Sequence, residues 1–338
     1  MYRAEYLQER EEDIMRRHGR VVLLLCMLCM MLLGVACAKQ HDGKKSSEKN
    51  EKKETTVEAV YEEDSGLITA EGLAFEVTDD VDHYTMSVFT IVDEKMTAFV
   101  VPSKVKYEGQ TYQVTAVGKS AFENETGVKK VTLSEGIKTI EQSAFYDCSN
   151  LTEVVLPDSL NAIKDYAFGE CSSLKGISLP EKLTEIGTEA FIHCNGIKKF
   201  TVPGSVARMG NSVFYECEKL KQVTFSEGIA DLPAETFTNC GSLKKIQLPD
   251  SLMTIGDEAF WNCTNLTRLD IPRNVASIGE RCFYSSGITD LIIRSSKIYP
   301  SQEIFDGAEI KSIRVPNNSR ESFQEFFEES EVKVDSCR

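Results

Sequence analysis

Six cysteines recur at one spacing, and they are the residues whose type and arrangement are best suited to chemistry. Thiolates bind zinc, carry out redox reactions and form disulfides. A metal or redox site needs thiols that are clustered, as in CxxC, or combined with histidines, and these six lack both arrangements. They stand 23 residues apart, which favours a structural role and predicts no metal site. The six are Cys148, Cys171, Cys194, Cys217, Cys240 and Cys263.

The other reactive side chains form no recognisable catalytic set. The motifs HExxH, GxSxG and GxxxxGKS/T are absent, as is GxGxxG after a strand. His41, His83 and His193 lie far apart and converge with no nucleophile. Counting does not exclude a glycosidase-like pair of carboxylates, but repeats build smooth ribs rather than a desolvated cleft. We therefore expect a protein that is not an enzyme and that has no cofactor.

The composition is that of a soluble, acidic chain able to fold. The 338 residues are 41% hydrophobic and 27% charged, and the formal net charge is −15. This length suits one large domain or two smaller ones, and the composition excludes collagen, coiled coils and polar low-complexity chains. An acidic surface repels phosphate backbones, so we expect no nucleic acid as a partner.

The N-terminal residues have the features of an export signal. Arg16, Arg17 and Arg20 precede an unbroken apolar run from Val21 to Ala36. This run matches the core of a signal peptide and is shorter than the roughly 20 residues that span a bilayer. Residues 1–36 are therefore predicted to be a signal peptide, and the mature chain is predicted to act outside the cytoplasm.

Two details refine this signal. Residues 1–14 are acidic and fit no signal peptide, which predicts that translation starts at Met15. Residues 33–37, Leu-Gly-Val-Ala-Cys, resemble a bacterial lipobox. The resemblance implies that Cys37 is lipidated and that the protein attaches to a membrane through this lipid. Ordinary signal cleavage and an uncleaved anchor helix are the alternatives.

Residues 37–56 are predicted to be a lipidated, flexible tether. From Lys39 to Thr56 the chain has no aromatic or aliphatic residue, so it cannot bury enough apolar surface to fold. A coil of this length extends on the order of 20–25 Å from the lipid. We therefore expect an extracytoplasmic, membrane-anchored lipoprotein of the cell surface.

Phenylalanines mark an internal repeat in the rest of the chain. Seven intervals of 23 residues and a last interval of 22 separate these anchors. The anchors are Phe122, Phe145, Phe168, Phe191, Phe214, Phe237, Phe260, Phe283 and Phe305. Apolar residues recur six, nine and eleven positions after the anchors, and the last two positions alternate as in a strand.

One repeat cannot cover its own hydrophobic side, so successive repeats must stack on one another. The alternating residues then form short strands in a parallel sheet, about 4.8 Å apart. A proline closes most strands, where a missing N–H costs little. These prolines are Pro157, Pro180, Pro203, Pro249, Pro272 and Pro316. The pattern predicts a β-rich solenoid of about nine 23-residue coils over residues 112–316.

The repeat A-F-x-x-C-x-x-L-x-x-V-x-L-P-x-x-L-x-x-I-G resembles the BspA-type class of leucine-rich repeat, found in bacterial surface proteins and lipoproteins. The resemblance covers Tyr112 to about Pro316. It implies a leucine-rich repeat array from a family in which some members act in adhesion and host-protein binding. It also places the six cysteines at the ladder position, where a buried thiol caps turn carbonyls. Disulfides between them are not expected, because stacked Cβ atoms lie beyond the roughly 3.8 Å that disulfides prefer.

Both ends of the array have candidate caps. Residues 57–111 are predicted to form a small N-terminal β cap, with strands within Leu73–Val77 and Tyr84–Val92. Residues 98–102 and 112–118 read as a degenerate first coil.

Residues 317–338 are predicted to form the C-terminal cap. Asn318 and Glu321 match a capping box that starts a short helix, and Phe323, Phe326 and Phe327 fall on one face of it. That face can close the last coil.

Two coils depart from the pattern. The coil of Phe237 has Thr236 for Ala and follows Ser226 in place of Pro. The coil of Phe283 has Cys282 for Ala and is one residue short. We expect curvature or a looser seam at both coils.

Charged residues at fixed positions predict two stripes along the stack. The basic stripe lies seven or eight positions after the anchors and comprises Lys129, Lys130, Lys175, Lys198, Lys199, Lys221, Lys244, Lys245 and Arg268. The acidic stripe lies thirteen positions after them and comprises Glu135, Asp158, Glu181, Glu227 and Asp250. The basic stripe could bind a polyanionic glycan or an acidic protein patch through many weak, salt-sensitive contacts. Alternatively, these charges only protect sheet edges and keep the repeats soluble.

An aromatic set follows directly after four anchors. Its members are Tyr146, Tyr215, Trp261 and Tyr284. Exposed aromatic rings at the repeat spacing could stack on sugars or anchor a protein partner. Half-buried packing in the turns is the alternative.

Together these features predict a cell-surface lipoprotein whose solenoid presents a binding face to an extracellular protein or polyanionic glycan. A non-catalytic structural or scaffolding component of the bacterial envelope is the alternative. A third hypothesis is an accessory subunit that delivers a substrate to an enzyme. The oligomeric state is unknown at this stage.

Overall fold

The computed structural model describes residues 55–81 and 83–337. The predictions for the signal peptide, for the start at Met15, for lipidation of Cys37 and for the tether up to residue 54 lie outside the described residues.

An antiparallel cap precedes the coils. The first eight strands are β1 (Thr56–Glu58), β2 (Val60–Glu62), β3 (Leu67–Ala70), β4 (Leu73–Asp79), β5 (Thr85–Ile91), β6 (Ala98–Val101), β7 (Lys104–Tyr107) and β8 (Gln110–Val117). Strands β2 to β5 form an antiparallel meander, and β7 pairs antiparallel with β8. Strand β5 pairs in parallel with β8, and β1 with β7. Strands β6 and β8 are the first rungs of two parallel ladders that continue into the coils.

The long-strand ladder forms from the alternating residues that follow each anchor. Its further strands, numbered in chain order, are β9 (Lys130–Leu133), β11 (Glu153–Val155), β14 (Lys199–Val202), β16 (Gln222–Phe225), β18 (Lys245–Gln247), β20 (Arg268–Ile271), β22 (Asp290–Ile293), β23 (Ser312–Val315) and β24 (Lys333–Ser336). In β14, Phe200 and Val202 are buried, whereas Lys199 and Thr201 are exposed. Phe200 pairs with Val223, one repeat later.

The short-strand ladder forms from the second apolar turn of each coil. Its strands are β10 (Thr139–Ile140), β12 (Ala162–Ile163), β13 (Glu185–Ile186), β15 (Arg208–Met209), β17 (Asp231–Leu232), β19 (Thr254–Ile255) and β21 (Ser277–Ile278). Pairing is again parallel and offset by one repeat, as for Ile163 and Ile186. The stack of about ten coils of about 23 residues confirms the predicted β-rich solenoid.

The anchor phenylalanines form a spine through the core. From Phe122 to Phe283 the rings stack on one another, with centroids 4.8 to 6.4 Å apart. The residues two before and two after an anchor adopt left-handed backbone, as for Ser143 with φ 55° and Asp147 with φ 52°. These bends direct the Phe145 N–H at the Ala167 carbonyl of the next coil, 2.8 Å away. A third set of backbone hydrogen bonds therefore joins neighbouring coils.

The short-strand ladder is interrupted at Pro233. In a neighbouring coil the Gly210 N–H donates to Ile186 O at 2.8 Å, and the Gly256 N–H likewise donates to Leu232 O. Pro233 occupies the equivalent position and has no N–H, so β15 and β17 do not pair.

The long-strand ladder is interrupted twice. Residues 175–179 form no strand, so β11 and β14 belong to separate sheets, and β18 does not pair with β20. The second gap follows the coil of Phe237, where a looser seam was predicted. In the coil of Phe283 the long strand has no looser seam, because β22 pairs with both β20 and β23. The turn between Phe283 and Ile288 is one residue shorter than the equivalent turn in the preceding coils.

Two short helices and a strand close the last coil. Helix α1 spans Gln302–Phe305, a 3-10 turn spans Asn317–Ser319 and helix α2 spans Arg320–Phe326. Phe323 is fully buried and packs edge to face on Phe305, with ring centroids 6.4 Å apart. Strand β24 then pairs in parallel with β23.

The predicted capping box at the C-terminal helix is wrong. The 3-10 turn absorbs Asn318 and places Ser319 at the N-cap of α2, where no side chain caps the helix. Glu321 lies in the first turn of the helix instead. The three phenylalanines do face the last coil, because Phe326 and Phe327 both contact the ring of Phe305.

Candidate functional site

The six repeated cysteines form a column inside the solenoid. All six side chains are fully buried and free of disulfides. Cys194 Sγ donates to the carbonyl oxygen of Phe168 in the preceding coil at 3.0 Å, and the other five make the equivalent bond at 3.0–3.2 Å. The Cys171 N–H donates to the same carbonyl at 3.2 Å, so each thiol supplies its turn with a second donor.

Burial also makes these thiols unreactive. Desolvation raises the pKa of all six above the ordinary thiol value, and raises that of Cys217 to about 12. A raised pKa removes the thiolate that metal binding and nucleophilic attack require. Among residues 55–81 and 83–337, no group of three or more His, Cys, Asp or Glu side chains is arranged to hold a metal ion.

The basic stripe lies exposed where the long strands begin. Lys130 pairs with Glu153 at 3.0 Å, and Arg268 pairs with Asp290 at 3.5 Å. The other seven members make no ion pair with any described residue. They are Lys129, Lys175, Lys198, Lys199, Lys221, Lys244 and Lys245. The middle of the stripe therefore carries uncompensated positive charge.

Beyond Arg268, the last member of the stripe, the arginines on the same face of the sheet are paired with carboxylates. Arg294 makes two contacts of 2.7 Å with the carboxylate of Asp270. Arg314 contacts the Asp290 carboxylate at 2.9 and 3.0 Å, and these contacts lower the pKa of Asp290 despite its partial burial. Uncompensated charge is thus concentrated in the N-terminal and central coils.

A cleft opens on this face beside β14. It has a volume of about 340 Å³ and lies at the rung that forms no strand. Its lining combines apolar, polar and charged side chains, namely Ile177, Ser178, Leu179, Glu181, Lys199, Phe200, Thr201 and Pro203. Lys199 thus belongs both to the cleft and to the basic stripe.

Two members of the acidic stripe make contacts within the fold. The Glu135 carboxylate accepts the backbone N–H groups of Asp158 and Ser159 in the next coil, at 2.9 and 3.2 Å. Glu227 makes the equivalent pair of contacts at 2.9 and 3.1 Å. These carboxylates hold the next turn in place and are not available to a ligand in the way that the lysines are.

The aromatic set is half-buried in the turns. Trp261 and Tyr284 stack with ring centroids 4.3 Å apart. Tyr146 contacts Tyr166 edge to face, and Tyr215 lies beside His193. Among the described residues, the rings of Tyr146 and Tyr215 contact no other member of the set, so the four do not form one platform.

A model of the BspA type leucine rich repeat region matches residues 95–221 and 207–333, in six copies. These matches cover well over half of the chain. The chain belongs to this family. The resemblance inferred from the repeat pattern is thereby confirmed.

Solved structures of bacterial leucine-rich repeat proteins are similar to this BspA-type protein. A leucine-rich repeat protein from Bacteroides ovatus shares 26% identity with a TM-score of 0.66, covering 79% of this chain and 67% of that one. The leucine-rich repeat protein of T. pallidum shares 26% identity with a TM-score of 0.51, covering 64% of this chain and 87% of that one. None of the curated proteins compared with the chain matches it.

One polar column of this BspA-type protein was missed by the sequence analysis. His193 Nδ1 lies 2.6 Å from Glu170 Oε1, and its Nε2 lies 3.1 Å from Glu216 Oε2. Asn239 Nδ2 donates to Glu216 at 3.2 Å, and Asn262 Nδ2 donates to Asn239 at 2.9 Å. The column links five coils two positions after the anchors. Polar residues recurring there every 23 positions were the signal that could have revealed it.

The cleft was also missed. The apolar positions of the repeat favour burial of Ile177 and Leu179, as for Val154 and Val202, whereas both are only partly buried. Gly176 stands where neighbouring coils have Glu153 and Lys199. A glycine in a row of strand residues was the available signal, since glycine weakens strands.

Proposed function

We propose that this BspA-type protein is an extracytoplasmic, membrane-anchored binding protein whose basic stripe recognises an anionic protein or glycan at the cell surface. One observation supports this most directly: seven exposed basic residues on one face make no ion pair with any described residue. Stacking repeats their positions at about the 4.8 Å strand spacing. A ligand with regularly spaced negative charges can therefore contact several of them at once.

The arithmetic of exposed charges explains why a row is needed. A single exposed ion pair contributes only about 0.2–1 kcal/mol, and salt screens it. Several aligned lysines on a rigid sheet add such contributions without ordering a loop first. We expect binding that is fast, multivalent and strongly reduced by salt. The overall charge of −15 argues against nucleic acid as the partner.

The membrane anchor is a separate part of the proposal and has its own test. Cys37, at the end of the lipobox-like sequence, is the proposed lipidation site. Cells expressing the full chain would be fed labelled palmitate and then fractionated. We expect label and membrane association in the parent chain, and loss of both in Cys37→Ala. Undiminished label in Cys37→Ala would contradict lipidation at this residue.

Binding is tested on the compact unit Glu51–Arg338, which contains the whole described core and both caps. This fragment would be applied to arrays of sulfated glycans and extracellular matrix proteins at low and high salt. The test variant reverses five lysines of the basic stripe to Glu, namely Lys198, Lys199, Lys221, Lys244 and Lys245. We expect roughly tenfold weaker binding or more, because several charge contacts are lost together.

A matched control separates the stripe from net charge. Five exposed lysines outside the stripe, Lys95, Lys119, Lys138, Lys182 and Lys297, are reversed to Glu instead. This control variant has the same net charge as the test variant and should retain the ligand. Equal losses in both variants would show a general charge effect and would contradict a specific stripe.

A structural role in the envelope is the second candidate. It is favoured by acidic stripe residues such as Glu135 and Glu227. Their carboxylates accept backbone N–H groups of the next coil, so these charges serve the stack itself rather than a ligand. Under this hypothesis the arrays capture nothing, and cross-linking in cells joins the protein to other envelope proteins. We propose no catalytic activity for either role.

A further inference from the structure

The cleft beside β14 is a local defect in one wall of the solenoid. In the coil of Phe168, residues 176–179 make no backbone hydrogen bond to a neighbouring coil within the described chain. Strand β11 pairs only with β9, and β14 pairs only with β16. One rung therefore leaves its own amide groups, and an edge of each flanking strand, without a partner strand.

The opening is confined to this face. On the short-strand side, Ile186 of the same coil pairs with Ile163 before it and Met209 after it. On the third side the ring of Phe168 stacks on Phe191 at 5.4 Å. The coil is therefore held firmly in the stack, and the cleft has rigid walls.

Two aliphatic side chains form part of the floor of the cleft. Ile177 and Leu179 are only partly buried, whereas Val154 and Phe200, the equivalents of Ile177 in the neighbouring coils, are 7% and 3% exposed. Partly buried aliphatic side chains between buried neighbours leave an apolar surface that a partner's side chain can cover.

Exposed lysines lie at and beside the rim of the cleft. Lys199 lines it and Lys175 begins the open rung, and neither makes an ion pair with a described residue. Lys198 and Lys221 stand nearby on the same stripe, while Glu181 is the single carboxylate in the lining. The charge of the rim therefore complements an acidic partner.

Gly176 gives a partner access to the backbone. A Cβ added at this position would meet no atom within 4 Å. The row of outward side chains thus has a gap between Glu153 and Lys199, above the unpaired amide groups. An extended peptide lying across this face can place a side chain in the gap, because pockets for alternate side chains are one way in which sheets recognise extended peptides. A glycan offers no aliphatic side chain for the floor.

We infer that this cleft binds an extended acidic peptide segment of a partner protein, with an aliphatic side chain on Ile177 and Leu179 and carboxylates beside Lys175 and Lys199. The inference rests on the proposed function and specifies its ligand. The lysines supply attraction that many anions share, whereas the two aliphatic side chains of the floor select for one side chain. Recognition of the anion and selection by the cleft can therefore be measured separately.

The experiment uses two labelled peptides on the Glu51–Arg338 unit, read by fluorescence anisotropy. Both peptides are runs of glutamate, one with a central leucine and one with a central serine. We expect the leucine peptide to bind about tenfold more tightly, because only it buries an aliphatic side chain. Leu179→Ser should bring this ratio close to one and leave the serine peptide's affinity unchanged.

Leu248→Ser is the matched control. Leu248 is the equivalent residue at the second gap of the long-strand ladder, where β18 pairs with β16 but not with β20, and it is also only partly buried. This variant should keep the tenfold preference for leucine. Loss of the preference in Leu248→Ser, with Leu179→Ser unaffected, would place the site at the other seam and overturn the inference.

A second variant guards against loss of folding. Gly176→Glu puts a carboxylate into open space at the cleft, so it should fold and weaken both peptides about tenfold. Gly241→Glu is its control, because an added Cβ there meets only Thr264 Oγ1 at 3.7 Å. Unchanged binding in Gly176→Glu would overturn the inference.

The remaining outcomes separate the two proposals. Heparin binding that depends on the stripe, with no preference between the peptides, would overturn the inference and leave the proposed function standing. No binding of heparin or of either peptide would overturn both. A dimer in sedimentation that Leu179→Ser abolishes and the leucine peptide does not displace would assign the cleft to a second copy and overturn the inference.

Discussion

The thiol of Cys194 donates to the carbonyl oxygen of Phe168, 26 residues earlier in the chain, at 3.0 Å. Both residues are fully buried, and the same contact recurs along the column of cysteines. Because each contact joins one coil to the preceding one, the column strengthens the stack along its length. It makes the cysteines structural residues whose loss should be measurable.

Replacing Cys194 with Ala should destabilise the solenoid by about 1–3 kcal/mol, because the Phe168 carbonyl loses a buried donor and a small cavity forms. Cys194→Ser keeps a donor and should lose less. Urea unfolding of the Glu51–Arg338 unit measures both. Cys337→Ala is the control, since its thiol is only partly buried and lies 3.6 Å from its acceptor. Equal losses in Cys194→Ala and Cys337→Ala would contradict a role for the buried contact.

Alkaline pH should destabilise the solenoid. Burial raises the pKa of the six thiols in the folded state, whereas in the unfolded state they ionise near the ordinary value of about 8.5. Below that pH both states are protonated and the stability is fully present. It is lost as pH rises from about 8.5 towards the raised folded pKa, because only the unfolded state releases protons.

The measurement is the free energy of unfolding at pH 7 and pH 9.5. Cys217, with a pKa of about 12, is a suitable residue to remove, and Cys217→Ala should reduce the dependence on pH. A stability that rises between the two pH values would show that other groups govern this range.

Gly204→Ala should be strongly destabilising, by about 3 kcal/mol or more, because its added Cβ would overlap the Glu227 carbonyl oxygen of the next coil. The atom in the way is backbone, so no side-chain rotation relieves the overlap. Gly176→Ala is the matched comparison, and its Cβ would meet nothing within 4 Å. It should change stability by less than about 0.5 kcal/mol. Thermal unfolding followed by circular dichroism distinguishes the two.

Glu258→Asn should stabilise the protein by roughly 0.5–1 kcal/mol. Glu258 has left-handed backbone with φ 54°, a conformation that asparagine adopts at lower cost than glutamate. Glu280→Asn is the control at a position whose φ is not positive. It should give no gain. A larger gain at Glu280 than at Glu258 in chemical unfolding would contradict a backbone origin.

Much of the fold was predictable because it is periodic. Side chains that recur every 23 residues occupy equivalent sites when coils stack, so Phe168, Cys194 and Val223 could be assigned to the core from spacing alone. The C-terminal cap was less predictable, since it lies outside the repeat. The helix was expected to have its N-cap at Asn318, but a 3-10 turn there moves the N-cap to Ser319.

The candidate site depends on contacts between coils, which periodicity does not specify. Spacing placed the lysines in a row, but only side-chain geometry separated Lys130, which pairs with Glu153, from Lys199, which makes no ion pair with a described residue. The link from Glu170 through His193 likewise depends on side chains reaching across a rung. Sequence position defines a column, whereas hydrogen bonding within it depends on distances of a few tenths of an ångström.

By itself, the sequence determined the repeat length, the buried spine and the alternation of inward and outward residues, because these follow from which side chains can be removed from water together. Only the tertiary structure decided where the walls open. The rung at Gly176 and the missing donor at Pro233 interrupt pairing on one side, while the other sides of the same coils stay joined. A coil is held to its neighbours by three separate sets of contacts, so one set can fail locally without unfolding the stack. Which of the three sets of contacts is interrupted depends on the residues of neighbouring coils together, and not on the sequence of any single repeat.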